Sequence, residues 1–380
     1  VCCLLFVVCL FVVVSHYSYS LGIRLKNEFS PCGNSLLRFC PSMQSSLTTA
    51  FTQLLGISAP IVCAPMAGVT GKELACAVAK GGGLGLMAGW GGSFRDPFPP
   101  GKVKQELDAA SSLLSPSQKI GIGFVSVLLD EKTLEEALSS PVCSAVFLSF
   151  GSLPPWAVKM CEEKNIPLIA QVGTVPEASQ AVQSGAKAIV AQGIEAGGHG
   201  HGESADILDT KTLTKEIIGA VDVPVLSAGG IMNHEHVSDY LDLGADGVVM
   251  GTRFMCTQES LIDQKRRKFL MENKERGTIR TRVFDALQDT IPWPVTVNGR
   301  ALSTPFITEN HSCAKERKLD GAPKRPELRD KLVKAIKEGD FTLAPIFCGQ
   351  NIGLVSETET SATEVVQQII QHLEKRGKLP

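Results

Sequence analysis

Eight short runs of small and apolar residues recur along the chain, and they limit its fold more than any other feature. They are Pro60–Pro65 (PIVCAP), Leu84–Ala88 (LGLMA), Ile120–Val125 (IGIGFV), Ser144–Leu148 (SAVFL), Pro167–Ala170 (PLIA), Ala188–Ala191 (AIVA), Pro224–Ala228 (PVLSA) and Gly247–Gly251 (GVVMG). None alternates apolar with polar residues. Strands of that kind are covered on both faces, as parallel strands are when helices lie over the sheet. The segments between them read as helices. Gly71–Lys80 (GKELACAVAK) runs into glycines suited to a helix C-terminus, Val175–Ser184 carries Pro near its start and stops at Gly185, and His234–Leu243 stops at Gly244. Two blocks, QSGAKAIVAQG and DLGADGVVMGT, repeat helix, Gly-Ala turn and buried strand. A (β/α)8 TIM barrel in the α/β class produces such recurrence with strands roughly 20–37 residues apart. We prefer it to a doubly wound open sheet because the count reaches eight.

The barrel is expected over residues 43–256. Residues 257–345 are charged, with KRRK at Lys265–Lys268, and read as a largely helical insertion or cap after the eighth strand. Residues 346–380 return to the barrel: Phe347–Val355 is small and apolar, and Ala362–Lys375 has apolar residues at the spacing of a closing helix. Residues 1–42 stand apart as a hydrophobic, Ser-rich leader outside the fold. Val1–Val14 is continuously apolar but too short for a bilayer crossing of about 20 residues, and no basic residues precede it as in a secretory signal. The first methionine is Met43, and the chain from there on reads as a complete soluble protein. We therefore read the leader as upstream sequence absent from the mature protein, rather than a truncated signal or organelle presequence. A cytoplasmic location is then expected, with a secretory or organellar route left open by the apolar segment.

Charge excludes whole classes of partner. Lys+Arg 37 against Asp+Glu 39 gives a formal charge of -2, so no global field draws nucleic acid or an anionic membrane. The basic run at Lys265–Lys268 lacks interleaved aromatics and reads as a solvated face. Seven cysteines beyond residue 42 (Cys63, Cys76, Cys143, Cys161, Cys256, Cys313, Cys348) form no C-x-x-C pair, and read as free thiols rather than a zinc ribbon or redox centre.

In a barrel, chemistry sits at the C-terminal ends of strands. The first run ends Ala64-Pro65-Met66-Ala67-Gly68, where small residues allow a flat ligand close to backbone. The seventh ends Ser227-Ala228-Gly229-Gly230 and the eighth Met250-Gly251-Thr252-Arg253. Glycines there expose backbone N–H groups as an anion nest, Thr252 adds a hydroxyl, and barrels often hold a phosphate at these two loops. The sixth ends Gln192-Gly193-Ile194-Glu195-Ala196-Gly197-Gly198-His199-Gly200-His201-Gly202. Two imidazoles on so many glycines are not core packing, and a histidine at the barrel mouth can take or give a proton near neutral pH. Chelation by His199 and His201 would need ligands beyond Glu195 and Glu203, so we assign no metal. His234 and His236 lie on a helix-forming stretch and read as surface residues.

The strings APMAG at Ala64–Gly68, QGIEAGGHG at Gln192–Gly200, SAGGI at Ser227–Ile231 and MGTRF at Met250–Phe254 resemble the nitronate monooxygenases, a flavin-dependent barrel family. The resemblance runs from about Leu54 to Phe254 and resumes at Gly349–Leu354. It implies FMN in the barrel mouth, with its phosphate on Gly229, Gly230, Gly251 and Thr252 beside Ser227 and Ala228. Its ring would lie against Ala64, Pro65 and Met66, with Gln171, Gln192, Gly197 and Gly198 within reach. His199 matches the family's catalytic histidine, which takes the α-proton of a neutral nitroalkane or orients the anionic nitronate. One electron then passes through the flavin to O2, and denitrification leaves a carbonyl compound and nitrite. The segment Gly121–Ser126 (GIGFVS) departs from the asparagine-bearing form of some members, so no residue is carried over there. The partners implied are a small nitronate or nitroalkane and O2, with neither nucleic acid nor membrane for the folded body.

Two rivals share the barrel: a flavin-dependent enoyl thioester reductase and an NAD(P)H:quinone reductase. Gly81-Gly82-Gly83-Leu84-Gly85 lacks the context of a dinucleotide fingerprint, a weak discriminator where nicotinamide can stack on flavin. A non-enzymatic flavin-binding scaffold is disfavoured by His199 on its glycine platform.

Overall fold

The computed structural model describes residues 47–90, 98–202, 207–288, 291, 293–294, 296–319, 325–356 and 360–376. These lie in one compact unit, Ser45–Pro380. The leader at 1–42 and Glu203 fall outside the described residues.

In chain order the elements begin with α1 (Ala50–Leu55), β1 (Ile61–Cys63), α2 (Lys72–Lys80), β2 (Leu84–Ala88), α3 (Lys102–Ser111), β3 (Ile120–Val125), α4 (Glu131–Leu138) and β4 (Cys143–Ser149). Next come α5 (Pro155–Glu163), β5 (Leu168–Val172), α6 (Val175–Gln183), β6 (Ala188–Gln192), β7 (Gly198–His201), α7 (Thr210–Ile218), β8 (Val225–Ala228), α8 (His234–Asp242) and β9 (Gly247–Met250). The chain continues with α9 (Thr252–Met255), α10 (Gln264–Asn273), β10 (Thr278–Thr281), α11 (Val283–Gln288), β11 (Val297–Leu302), α12 (Pro305–Lys315), α13 (Arg325–Glu338) and α14 (Ala362–Lys375).

Eight parallel strands close a TIM barrel in the order β1-β2-β3-β4-β5-β6-β8-β9. The ring shuts by β1 pairing with β9, Val62 opposite Val249. All eight barrel strands fall on the apolar runs, for the reason those runs lack alternation: both faces are covered. Val62, Leu84, Leu86, Phe147, Ile169, Val190 and Leu226 fill the interior, and Phe51 of α1 joins them. The opposite strand faces pack under the surrounding helices, as Ile122, Val146, Leu148 and Ile189 do. Helix α14 packs against α2 and α8, and Ser361 and Glu364 form a capping box at its start that satisfies two otherwise orphaned N–H groups.

The segment after β9 is largely helical but also carries β10 and β11, which composition gives no hint of. They pair antiparallel with β7 in a second sheet of order β10-β11-β7. Residues Gly198–His201, read from sequence as the glycine-rich end of the sixth run, are therefore a separate strand, with Gly299 of β11 opposite His199. GHGH has no intrinsic strand preference; the partner strand imposes the conformation.

All seven described cysteines are free, and all but Cys313 are buried. Burial pushes the Cys143 and Cys161 thiols up to about 12, so at neutral pH they remain protonated and act as packing groups. Among the described residues no helix is long and apolar enough to cross a membrane.

Candidate active site

The C-terminal ends of the barrel strands open into one cavity. Ala64, Pro65, Met66, Gln171, Gln192, Gly197, Gly198, His199, Ala228, Gly229, Gly230, Gly251 and Thr252 all line it. Ser227 does not. Its side chain is fully buried and its hydroxyl accepts a hydrogen bond from Thr214 of α7 at 3.0 Å. Strand parity explains the correction: Leu226 and Ala228 face the barrel interior, so the residue between them faces the helices.

The glycine turn after β8 has the backbone its sequence suggests. Gly229 has φ +140 and Gly230 φ +68, conformations that cost an ordinary residue about 1–3 kcal/mol. A Cβ on Gly229 would also stand 2.3 Å from the Thr210 hydroxyl. Residues Gly349–Asn351 then staple three loops together. The Gly349 N–H donates to Thr252 Oγ1 at 2.8 Å, the Gln350 N–H to the Glu195 carbonyl at 3.0 Å, and Asn351 Nδ2 to the Gly230 carbonyl at 2.7 Å. Since the Thr252 oxygen accepts there, its hydroxyl hydrogen is left to donate. Gly197 is required by this stapling, because a Cβ on it would sit 2.4 Å from the Cys348–Gly349 backbone.

The loop leading into β7, the strand that carries the imidazole, is held by the insertion. Arg280, 2 % exposed, donates through Nη2 to the carbonyls of Ala196 at 2.7 Å and Ile194 at 3.2 Å, and through Nη1 to that of Asn298 at 2.9 Å. Arg300 Nε also donates to the Ile194 carbonyl, at 3.0 Å. Gln192 Nε2 donates to the His199 carbonyl at 3.0 Å, so Gln192 both lines the cavity and clamps β7. His199 is boxed by aromatic rings, stacked on Trp293 with centroids 4.1 Å apart and facing Phe347 at 5.4 Å.

Several cavity residues escape a sequence reading. Gly123 and Phe124 from β3, Phe150, Phe347 and Arg266 all line it. The Arg266 Nε is buried with no hydrogen-bond partner among the described residues, and burial pulls this guanidinium below its usual range. A desolvated cation in the same cavity as the backbone nests suits an anionic group, so the residues present fit a phosphate-bearing ligand. Arg266 belongs to the basic run read as a solvated face; that helix turns this one cation toward the cavity.

Glu195, His236 and His201 have structural partners. Glu195 accepts from the Thr210 N–H at 2.9 Å, at the start of α7. His236 is half-buried rather than superficial, its Nδ1 accepting from the Met232 N–H at 3.2 Å just beyond the glycine turn. His201 Nε2 lies 3.1 Å from Glu177 Oε2, which also accepts from the Gly173 N–H at 2.9 Å. Burial alone would raise the Glu177 carboxyl, but the hydrogen bonds from His201 and Gly173 outweigh it and hold the group below the ordinary range. A carboxyl whose pKa is lower in the folded state stabilises above its unfolded value and loses that contribution as pH falls through the folded value. Glu177→Gln is therefore expected to lower the melting temperature slightly at pH 7 and to match the parent at strongly acid pH. The pair is partly solvated, so the neutral-pH effect is at most about 1 kcal/mol. Melting curves across pH check this; an equal loss at every pH would contradict it.

The comparisons agree with this architecture. The family model for nitronate monooxygenase matches residues 117–372, and that for the IMP dehydrogenase / GMP reductase domain matches residues 35–92. A nitronate monooxygenase of Neurospora crassa is 29% identical over 361 residues, covering 84% of this chain and 90% of its own. A probable nitronate monooxygenase of Staphylococcus aureus is 29% identical over 365 residues, covering 85% of this chain and 96% of its own. Among solved structures, FabK from Thermotoga maritima superposes with a TM-score of 0.71 at 25% identity, covering 87% of this chain and 97% of its own. A nitroalkane oxidase from Streptomyces ansochromogenes superposes with a TM-score of 0.71 at 24% identity, covering 87% of this chain and 99% of its own, a likeness of fold.

Proposed function

Because the chain belongs to the nitronate monooxygenase family, and so is an oxidoreductase, we propose that it uses FMN and O2 to convert nitronates and nitroalkanes to carbonyl compounds and nitrite. The observation that carries this reading is a single cavity holding both the glycine turns after β8 and β9 and the His199 imidazole. Gly229, Gly230, Gly251 and Thr252 hold the phosphate of FMN, with the Arg266 cation in the same cavity. Ala64, Pro65, Met66, Gln171, Gln192, Gly197, Gly198 and Ala228 border the rest of the cofactor. Bound flavin supplies the redox chemistry, accepting electrons that O2 finally takes.

The protein's own residues prepare the substrate. The α-carbon of a nitroalkane is acidic because the nitro group spreads the developing charge, so an imidazole suffices as base. His199 takes that proton, the C–H electron pair moves into the nitro group, and the substrate is left as nitronate. The rings of Trp293, Phe150 and Phe347 around His199 help leave its side chain only 8% exposed, and low solvent exposure strengthens the attraction between the new imidazolium and the nitronate. A substrate supplied as nitronate needs no base, and there His199 only orients it.

The likeness to FabK favours a second reading, a flavin-dependent enoyl thioester reductase. One experiment separates the two. The protein is mixed with a nitronate in air and, separately, with NAD(P)H without oxygen, and flavin absorbance and nitrite are followed. We expect nitrite from the first mixture. Flavin bleaching by NAD(P)H alone, with no nitrite from nitronate, would establish the reductase instead.

A further inference from the structure

We propose that Asp285 is the positioning residue of the base: it fixes the His199 ring and dictates which imidazole nitrogen carries hydrogen. This rests on the reading of His199 as the proton acceptor and adds to it a residue of the insertion. Asp285 lies on α11, and its Oδ1 is 2.8 Å from His199 Nε2, with the side chains 13% and 8% exposed. The indole of Trp293 covers the imidazole nearly parallel, at an interplanar angle of 19°, while Phe150 meets the imidazole edge-on with centroids 6.5 Å apart. A ring stacked on Trp293 and bonded to Asp285 through Nε2 has little freedom to turn over.

What each group can donate or accept determines the chemistry. A carboxylate only accepts hydrogen bonds, so Nε2 must carry the hydrogen it donates. In the neutral imidazole the lone pair then belongs to Nδ1, and Nδ1 is the atom that takes the substrate's α-proton. The N–H bond forms as the C–H bond breaks, the electron pair passes to the nitro oxygens, and the imidazolium keeps its Nε2–H on Asp285. An asparagine in place of Asp285 can present its NH2 group to Nε2, which moves the hydrogen to Nδ1 and removes the base.

The test has a readout independent of turnover. The 15N chemical shifts of the His199 ring, measured on the flavin-free protein with neutral imidazole, are expected to show the Nε2–H tautomer. In Asp285→Asn they should move toward Nδ1–H. In the flavin-loaded protein, Asp285→Asn should lower kcat on a neutral nitroalkane by about 100-fold with KM little changed, while turnover of the pre-formed nitronate stays within a few-fold. Asp285→Glu should restore part of the loss. An Nδ1–H tautomer in the parent protein overturns the proposal without any variant. So does an Asp285→Asn protein that keeps both its tautomer and its ratio of the two activities. Should His199→Asn leave that ratio unchanged, the base reading falls, and the tautomer signal still decides the role of Asp285.

Discussion

Replacing His199 by Asn is expected to cut turnover of a neutral nitroalkane by about 100- to 10,000-fold, the usual worth of a general base, while a pre-formed nitronate is oxidised at a rate within about tenfold of the parent. The two substrates differ only by the proton that His199 removes, so the ratio of their kcat/KM values isolates that step. Asparagine fills much of the same space and leaves the backbone pairing of β7 with β11 in place, since those bonds run through the main chain. Steady-state assays of nitrite release on both substrates make the measurement. An equal loss on both would mean that His199 shapes the cavity or binds the anion rather than moving a proton.

Arg280→Met is expected to be the most damaging change away from the cavity. Methionine keeps much of the packing volume but none of the donors. The Ala196 carbonyl loses its 2.7 Å bond and the Asn298 carbonyl its 2.9 Å bond, and each buried acceptor left unsatisfied costs about 1–3 kcal/mol. The Ile194 carbonyl is protected because Arg300 Nε also donates to it. With the half-buried Asn298 carbonyl counting at the low end, unfolding in denaturant should show a loss of about 2–4 kcal/mol, with falling activity because the loop from Ile194 to Gly198 sets where His199 stands. Arg280→Met with Arg300→Met should be worse than the sum of the two, since only the pair strips Ile194 of both guanidinium donors. Additivity in that cycle, or a loss below about 0.5 kcal/mol for the single change, would show that the arginines do not brace the loop.

The fold was legible because burial on both faces writes itself into consecutive residues. PIVCAP, IGIGFV and GVVMG read as covered strands without any long-range information, and the glycine pair after β8 reads as a turn of exposed backbone N–H groups. Strand parity was also available: alternation from Leu226 through Ala228 places Ser227 against α7, although proximity to the glycines invites the opposite reading. What sequence could not supply is pairing at a distance. Asp285 meets a histidine 86 residues earlier in the chain, and nothing in the sequence of helix α11 marks its single acid as special. β7 is a strand only because β11 lies beside it, and β11 is separated from the barrel by the whole length of α10 and α11. The Arg266 cation hid in a basic run because helical rotation, not composition, decides which of four neighbouring cations faces a cavity.

The central claim is that the backbone turns after β8 and β9 grip a phosphate and so hold a flavin beside His199. Titrating flavin-stripped protein with FMN and with riboflavin, by quenching of flavin fluorescence, tests this most directly because the two differ by that phosphate alone. FMN should bind at least about tenfold more tightly, since a charge-assisted contact set is worth about 1.4 kcal/mol or more. Equal affinity for the two, or no binding of either to folded protein, would contradict it.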